Sequence, residues 1–427
     1  MTHQIYVETP ATIGILGAGP IGLEAALYAR YLGYDVKLLE RGKVGENISR
    51  WGHVRMFSPF KMNASPLGLQ ALAAQDESYR PPDAESYLTG NQWLQRYLLP
   101  LSQSDLIADG LVENTRVIAV GRSDCRKGEL VVDAQRAESP FRVLVEDAKG
   151  QRDEQADVVI DTTGTFGNHR WLGRGGIPAK GELSCEEHIN YDLPDILGEA
   201  KVRFIGKRTL VIGSGYSAAT NIIALAELAG EDAKTEITWI TSALDSNGPA
   251  IATIPGDRLP GRSELANRAN ELAWGEGPVA HIAGAHIESI QFDDRSQTFS
   301  MKVATESGES ELNFDNIIAN VGYRPDTSIY EELQIHQCYA SEGPMKLAAA
   351  LLGQSSADCL DQTSAGAAKL LNPEPNFYIL GSKSFGRNSN FLVSLGLQQI
   401  REAFSIIGGR EDLDLYTAVA VASSRRE

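Results

Sequence analysis

An α/β chain of two similar halves is predicted by three observations. A glycine-rich turn follows an apolar strand at Ile13-Gly14-Ile15-Leu16-Gly17-Ala18-Gly19-Pro20-Ile21-Gly22. A second such turn lies far downstream at Thr209-Leu210-Val211-Ile212-Gly213-Ser214-Gly215-Tyr216-Ser217-Ala218. After each turn the same order of segments recurs: two runs that alternate apolar and polar residues, then a nearly continuous apolar run ending in glycine. Each half reads as a parallel αβ layer, a β-meander and a buried return strand.

The first turn assigns a task to each glycine. Gly17 permits the tight turn, Gly19 lets the backbone approach a pyrophosphate, and Gly22 allows close packing of helix on strand. Pro20 opens the helix, whose first N–H groups and dipole favour an anion. The next strand, Asp35-Val36-Lys37-Leu38-Leu39-Glu40, ends in an acid followed by Arg41. A carboxylate about 20 residues after the glycines binds ribose hydroxyls and repels a 2′-phosphate. This site therefore suits FAD or NAD rather than NADP.

The second turn has the same form, with Ala218 in the third glycine position. Gly213, Ser214 and Gly215 form the turn, and Tyr216, Ser217 and Ala218 open the helix. The following strand, Glu236-Ile237-Thr238-Trp239-Ile240, runs into Thr241-Ser242 with no terminal carboxylate. Nothing there repels a 2′-phosphate, and Arg262, with Arg258, can approach from a loop. NADPH is expected here, with NADH possible.

The two later runs are Thr115–Val120 and Phe141–Val145 in the first half, and Ala285–Ile290 and Thr298–Val303 in the second. The return strands are Ala156–Gly164 and Phe314–Gly322. Near the C-terminus, Asn376–Gly381 reads as one more strand, and a helix runs from about Phe391 to Ile407.

Composition excludes several classes. The 427 residues carry a net charge of −17, which argues against nucleic acid and anionic membranes as partners. No apolar run approaches the ~20 residues that span a bilayer. Met1–Pro10 lacks a basic region followed by an apolar stretch, so no signal peptide is expected and the cytoplasm is the expected compartment. Cys125, Cys185, Cys338 and Cys359 are widely scattered, as in a reducing compartment. No Cys-x-x-Cys is present, and the histidines show no metal-ligand spacing. No metal is expected.

With these motifs in place, the chain resembles the two-dinucleotide-binding-domain flavoproteins. Gly17-x-Gly19-x-x-Gly22…Glu40 is similar to their FAD fingerprint. Asp161-Thr162-Thr163-Gly164 resembles their "ATG" strand end, and Gly322-Tyr323-Arg324-Pro325-Asp326 resembles their "G-x-R-P-N/D" return. The resemblance implies an α/β fold of two Rossmann-like three-layer dinucleotide-binding domains with β-meanders, the NAD(P) domain inserted into the FAD domain. The FAD domain is expected at 1–170 and 320–427, the NAD(P) domain at 200–319, and a connection at 171–199. It further implies FAD contacts from Arg41, Trp51, Val117, Thr163, Gly164, Gly381 and Ser382. Disulphide-reductase relatives carry an Asp after this last glycine; here it is Ser382-Lys383.

Within the superfamily the likeness is nearest to flavin-containing monooxygenases, with thioredoxin reductase-like oxidoreductases close behind. Gly181 through His188 and Tyr191 resembles the "F-x-G-x-x-x-H-x-x-x-Y" signature, with Ala179 at the Phe position and a spacing one residue short. The resemblance implies Asn63 as the amide near the reactive flavin carbon. With no dithiol, oxygen is the expected electron acceptor. A flavin C4a-hydroperoxide would then oxygenate a small soft nucleophile (nitrogen or sulphur) or a ketone. Three other readings stay open: a reductase that feeds a carrier protein or quinone, an FAD-only dehydrogenase or oxidase, and a non-catalytic flavin sensor.

Overall fold

The computed structural model describes residues 6–242, 248–353 and 358–424. The chain divides into two compact units, Met1–Thr165 with Arg324–Glu427, and Phe166–Tyr323. Strands follow in the order β1 (Thr12–Leu16), β2 (Asp35–Leu39), β3 (Leu111–Val112), β4 (Arg116–Arg122), β5 (Phe141–Asp147), β6 (Gly150–Ala156) and β7 (Val158–Asp161). Then come β8 (Arg208–Ile212), β9 (Glu236–Thr241), β10 (Val279–Ala283), β11 (His286–Asp293), β12 (Thr298–Thr305), β13 (Gly308–Phe314), β14 (Asn316–Ala319) and β15 (Phe377–Ile379). The longer helices are α1 (Pro20–Tyr31), α2 (Pro66–Gln75), α3 (Tyr216–Glu231), α4 (Pro260–Trp274), α5 (Met345–Leu352), α6 (Val393–Ile407) and α7 (Leu415–Ser424).

In the first unit a parallel sheet runs β15-β7-β1-β2-β3, and β4-β5-β6 form an antiparallel meander. Strand alternation sends apolar side chains to both faces. Ile13, Ile15, Leu38, Val158 and Ile160 meet Leu23, Leu27 and Phe404 of the helices. Leu16, Leu39, Val159 and Phe377 meet Phe141, Val143 and Val145 of the meander. The strands are buried on both sides, which explains their continuous apolar runs.

The second unit repeats the plan, with a parallel sheet β10-β9-β8-β14 and a meander β11-β12-β13. Val211, Ile237, Trp239 and Ile318 pack on the helix side with Ile222 and Leu225. Leu210, Ile212, Ile240 and Ile317 pack on the meander side with Phe299, Met301 and Val303. The segment 171–199, expected as a connection, is part of this unit's core. Leu172, Ala179, Cys185 and Ile189 are buried in it. Glu182, itself buried, accepts the N–H groups of Leu172 and Ala179 and the Tyr191 hydroxyl. The α/β class and the doubled parallel-sheet architecture are those expected from sequence.

A buried charge triad fastens the first unit. Glu374 receives Arg122 at 2.7 Å and Arg136 at 2.8 Å. Arg122 also donates to the carbonyls of Ser139 and Pro375, and Arg136 to those of Arg126 and Glu129. Buried ions on this scale persist only when each lone pair and proton is answered, as here.

Candidate functional site

The first cradle forms at the carboxyl ends of β1, β2 and β7, where open α/β sheets bind ligands. Gly17 has φ +93°, and its N–H donates to Leu39 O at 2.8 Å. A Cβ on Gly22 would collide with the Gly17 carbonyl and the Thr162 hydroxyl, so helix and strand touch there. A Cβ on Gly19 would meet nothing within 4 Å. The space above Gly19 is thus open, while the spaces at Gly17 and Gly22 are filled by protein. Gly19 is the N-cap of α1 with no side-chain cap, and Pro20 is the first helical residue, so the first N–H groups stay available to an anion.

Glu40 closes the cradle from β2. Its Oε2 accepts the Ala18 N–H at 2.7 Å and its Oε1 the Gly42 N–H at 3.0 Å. The carboxylate is therefore fixed against the turn. Arg41 beside it is exposed. The backbone of 114–115 pairs with Glu40 and Gly42, which brings the start of β4 and half-buried Val117 toward this corner. On the other flank, a Cβ at Gly17 would stand 3.0 Å from Thr163 Cα, and one at Gly164 would stand 3.4 Å from Ser382 Oγ. Gly381, at φ +74°, donates its N–H to Gln399 of α6 at 2.8 Å and lies against Ile21 of α1. The structure therefore brings Gly17, Gly19, Pro20, Gly22, Glu40, Thr163, Gly164, Gly381 and Ser382 around one turn.

Asn63 is buried; its amide donates to the carbonyls of Ser58 and Pro59, and its Oδ1 accepts from the Ser58 hydroxyl. These bonds brace the loop and fix the direction of the amide. Trp51 is half-buried and packs its ring on Gly90 and the helix-side core.

The second cradle repeats the first at β8 and α3. Gly213 has φ +137°, and a Cβ there would collide with the Asn320 carbonyl. Gly215 caps α3 with no side-chain cap, and a Cβ on it would meet nothing within 4 Å. Ser214 is exposed, Tyr216 and Ser217 are half-buried, and Ala218 is buried where a glycine packs in the first cradle. Trp239, missed at the sequence level, donates its indole N–H to Gly213 O at 2.8 Å. Thr241 is buried, and its hydroxyl lies 3.0 Å from His281 Nε2. Burial lowers the His281 pKa. Arg262 is only 5 % exposed and grips Asp257 with two nitrogens. It stands in the first turn of α4 rather than on a loop, paired with Asp257. In the segment resembling the monooxygenase signature, His188 stacks on Phe292, and Tyr191 stacks on His169 from outside it.

Two open glycine turns, each at the start of a long helix and the end of a parallel sheet, define a two-dinucleotide-binding flavoprotein. The residues present fit FAD in the first cradle and NADPH in the second. The chain belongs to the pyridine nucleotide-disulphide oxidoreductase family, whose model matches residues 14–345. It is an oxidoreductase. Among solved structures it is similar to the bacillithiol disulfide reductase Bdr (YpdA) of Bacillus cereus, at 17% identity and TM-score 0.63, covering 94% of this chain and 100% of that one. It is also similar to DfoA, the FAD-bound cadaverine monooxygenase of Erwinia amylovora, at 15% identity and TM-score 0.62, covering 95% and 96%. A third is the ornithine N-hydroxylase KtzI of Kutzneria sp. 744, at 14% identity and TM-score 0.59, covering 94% and 100%. No curated protein matches the sequence significantly. Among the described residues, no helix is long and apolar enough to cross a membrane.

Proposed function

We propose that the protein is an FAD-dependent monooxygenase that takes hydride from NADPH and transfers one oxygen atom of O₂ to a small soft nucleophile or a ketone. The second oxygen leaves as water. FAD, when bound, supplies the hydride acceptor and the oxygen chemistry. The chain holds the diphosphates at Gly19 and Gly215, seats the ribose at Glu40 and keeps the site dry. NADPH is preferred to NADH because Thr241, not an acid, ends β9. The substrate is a small molecule, with no nucleic acid or membrane involved, and the setting is the cytoplasm.

The observation that carries this reading is the state of the thiols. No two of the four cysteines, Cys125, Cys185, Cys338 and Cys359, are spaced as a dithiol. Cys185, Cys338 and Cys359 are buried, and burial pushes the Cys185 thiol up to about 11. Electrons therefore lack the internal dithiol through which a disulphide reductase passes them. The fold shared with a cadaverine monooxygenase and an ornithine N-hydroxylase puts amine nitrogens first among the nucleophiles to try.

A second reading is an NAD(P)H-dependent reductase that hands electrons to a carrier protein or a quinone; the family's description supports its pyridine-nucleotide half. One experiment separates the two. The flavin is reduced anaerobically with NADPH, oxygen is admitted, and the flavin spectrum, hydrogen peroxide and products from diamines, thioethers and ketones are followed. A delayed return of oxidised flavin with an oxygenated product supports the monooxygenase. Immediate reoxidation with stoichiometric peroxide and no product, together with rapid quinone reduction, supports the reductase. Flavin that NADPH does not bleach rules out both.

A further inference from the structure

A buried charge pair beside the first cradle has no part in the roles above. Asp161 ends β7, and Lys383 lies two residues after Gly381; their side chains are 0 % and 1 % exposed. Lys383 Nζ stands 2.6 Å from Asp161 Oδ2 and donates to Thr163 Oγ1 at 2.9 Å. Its remaining face lies 5.0 Å from the Tyr330 ring centroid. Asp161 Oδ1 accepts the Thr163 N–H at 3.0 Å and the Thr163 hydroxyl at 2.7 Å. Asp161 Oδ2 has no well-formed hydrogen bond and is answered by the ammonium charge. Thr163 is thus clamped, its hydroxyl donating to the acid and accepting from the amine.

The placement gives the pair a use. Thr163 Cα abuts Gly17, Gly164 abuts Ser382, and Gly381 abuts Ile21 in the first turn of α1. The loop 162–164 and the 3-10 turn that begins at Gly381 therefore flank the open space above Gly19, and the pair ties one to the other. Two apolar side chains would join the two segments without the desolvation cost of burying each ion. They would not fix the direction of the Thr163 hydroxyl or the pitch of the loop that carries it. Fixed hydrogen-bond partners that lock supporting residues are what hold a binding site within the tolerance it needs.

We propose that Lys383 and Asp161 are positioning residues for FAD: acting through Thr163, they set the 162–164 loop in the form that receives the cofactor beside Gly17. The inference rests on the assignment of the first cradle to FAD and is independent of what the flavin later oxidises or reduces.

The test measures FAD binding to flavin-stripped full-length protein by fluorescence quenching, with visible circular dichroism of the bound flavin and thermal unfolding of the apoprotein. Lys383→Met alone strands the Asp161 charge and is expected to unfold, so two other variants decide. Thr163→Val leaves both charges paired and removes only the clamped hydroxyl. Asp161→Asn/Lys383→Met removes both charges together. Each is expected to fold cooperatively at a lowered unfolding temperature, because a buried hydrogen-bond partner or a buried pair is removed. Each is also expected to bind FAD roughly tenfold more weakly, the size of one hydrogen bond to a charged group, with an altered flavin dichroism. Wild-type affinity and dichroism in Thr163→Val, or in a folded double variant, would overturn the inference and leave the pair as a fold element only. Wild-type protein that does not bind FAD would instead remove the cradle assignment.

Discussion

The indole N–H of Trp239 donates to the carbonyl oxygen of Gly213 at 2.8 Å. A buried side chain in the middle of the second sheet thereby holds the first glycine of the second turn. Loss of a buried partner costs about 1–3 kcal/mol, part of which is expected in nucleotide affinity. Trp239→Phe should therefore weaken NADPH binding by roughly fivefold, about 1 kcal/mol, and leave FAD content unchanged. Flavin reduction rate against NADPH concentration measures the first, and absorbance per protein the second. Unchanged NADPH dependence would remove Trp239 from the cradle.

Gly19 and Gly215 both face open space, so the fold tolerates a side chain at either, and under the proposed function that side chain would fill the place of a diphosphate. Gly19→Val should yield folded, colourless protein. Gly215→Val should retain its flavin and fail to bleach with NADPH under anaerobic conditions. A yellow Gly19→Val protein at full occupancy would contradict the assignment of the first cradle.

Asn63 serves its own loop. Asn63→Ala should lower the unfolding free energy by about 1–3 kcal/mol, because the Ser58 and Pro59 carbonyls lose buried donors. The flavin that remains bound should still be reduced by NADPH at close to the wild-type rate. Loss of reduction without loss of stability would restore Asn63 to the chemistry.

Glu24 lies buried on α1, and burial raises its pKa from 4.5 to about 7, with the hydroxyls of Ser65 and Tyr416 pulling it partly back. Unfolded, the same carboxyl releases its proton near the ordinary value. Between the two values the folded chain holds a proton that the unfolded chain has lost, so stability falls as pH rises, by about 3 kcal/mol in total. Above about pH 7 this contribution levels off. Glu24→Gln, neutral throughout, should gain on the wild type steadily between pH 5 and 8 in urea unfolding. Parallel pH profiles for the two proteins would show that Glu24 ionises at its ordinary pH in the fold.

The legible features were those that a short window of sequence determines. Gly17, Gly19 and Gly22 state a turn, an open approach and a close packing within one βαβ unit, and the structure shows all three, with the Glu40 carboxylate held against the same turn. The apolar strands β1, β7, β8 and β14 were readable because both their faces are buried. The meander strands β6 and β13 were not. Gln151–Gln155 and Glu309–Asn313 are rich in charged and polar residues and largely exposed, and only their pairing with β5 and β12 makes them strands. The partners of Arg262 and Asn63 were not legible, because a sequence shows a polar group but not the Asp257 carboxylate or the Ser58 and Pro59 carbonyls that it meets in the fold. Lys383 and Asp161 are 222 positions apart and acquire meaning only when β15 pairs with β7.

The Arg122–Glu374–Arg136 triad spans the two stretches of chain that make the first unit, with the whole of the second unit encoded between them. During synthesis, both guanidiniums emerge long before the carboxylate that neutralises them, and β7 waits equally long for β15. The later-encoded unit is continuous in sequence and depends on no such wait. The ribosome thus delivers a complete inner unit while the outer one still lacks its last strand and its central anion. A nascent chain stalled before residue 374 should present a folded nicotinamide half attached to an unfinished flavin half.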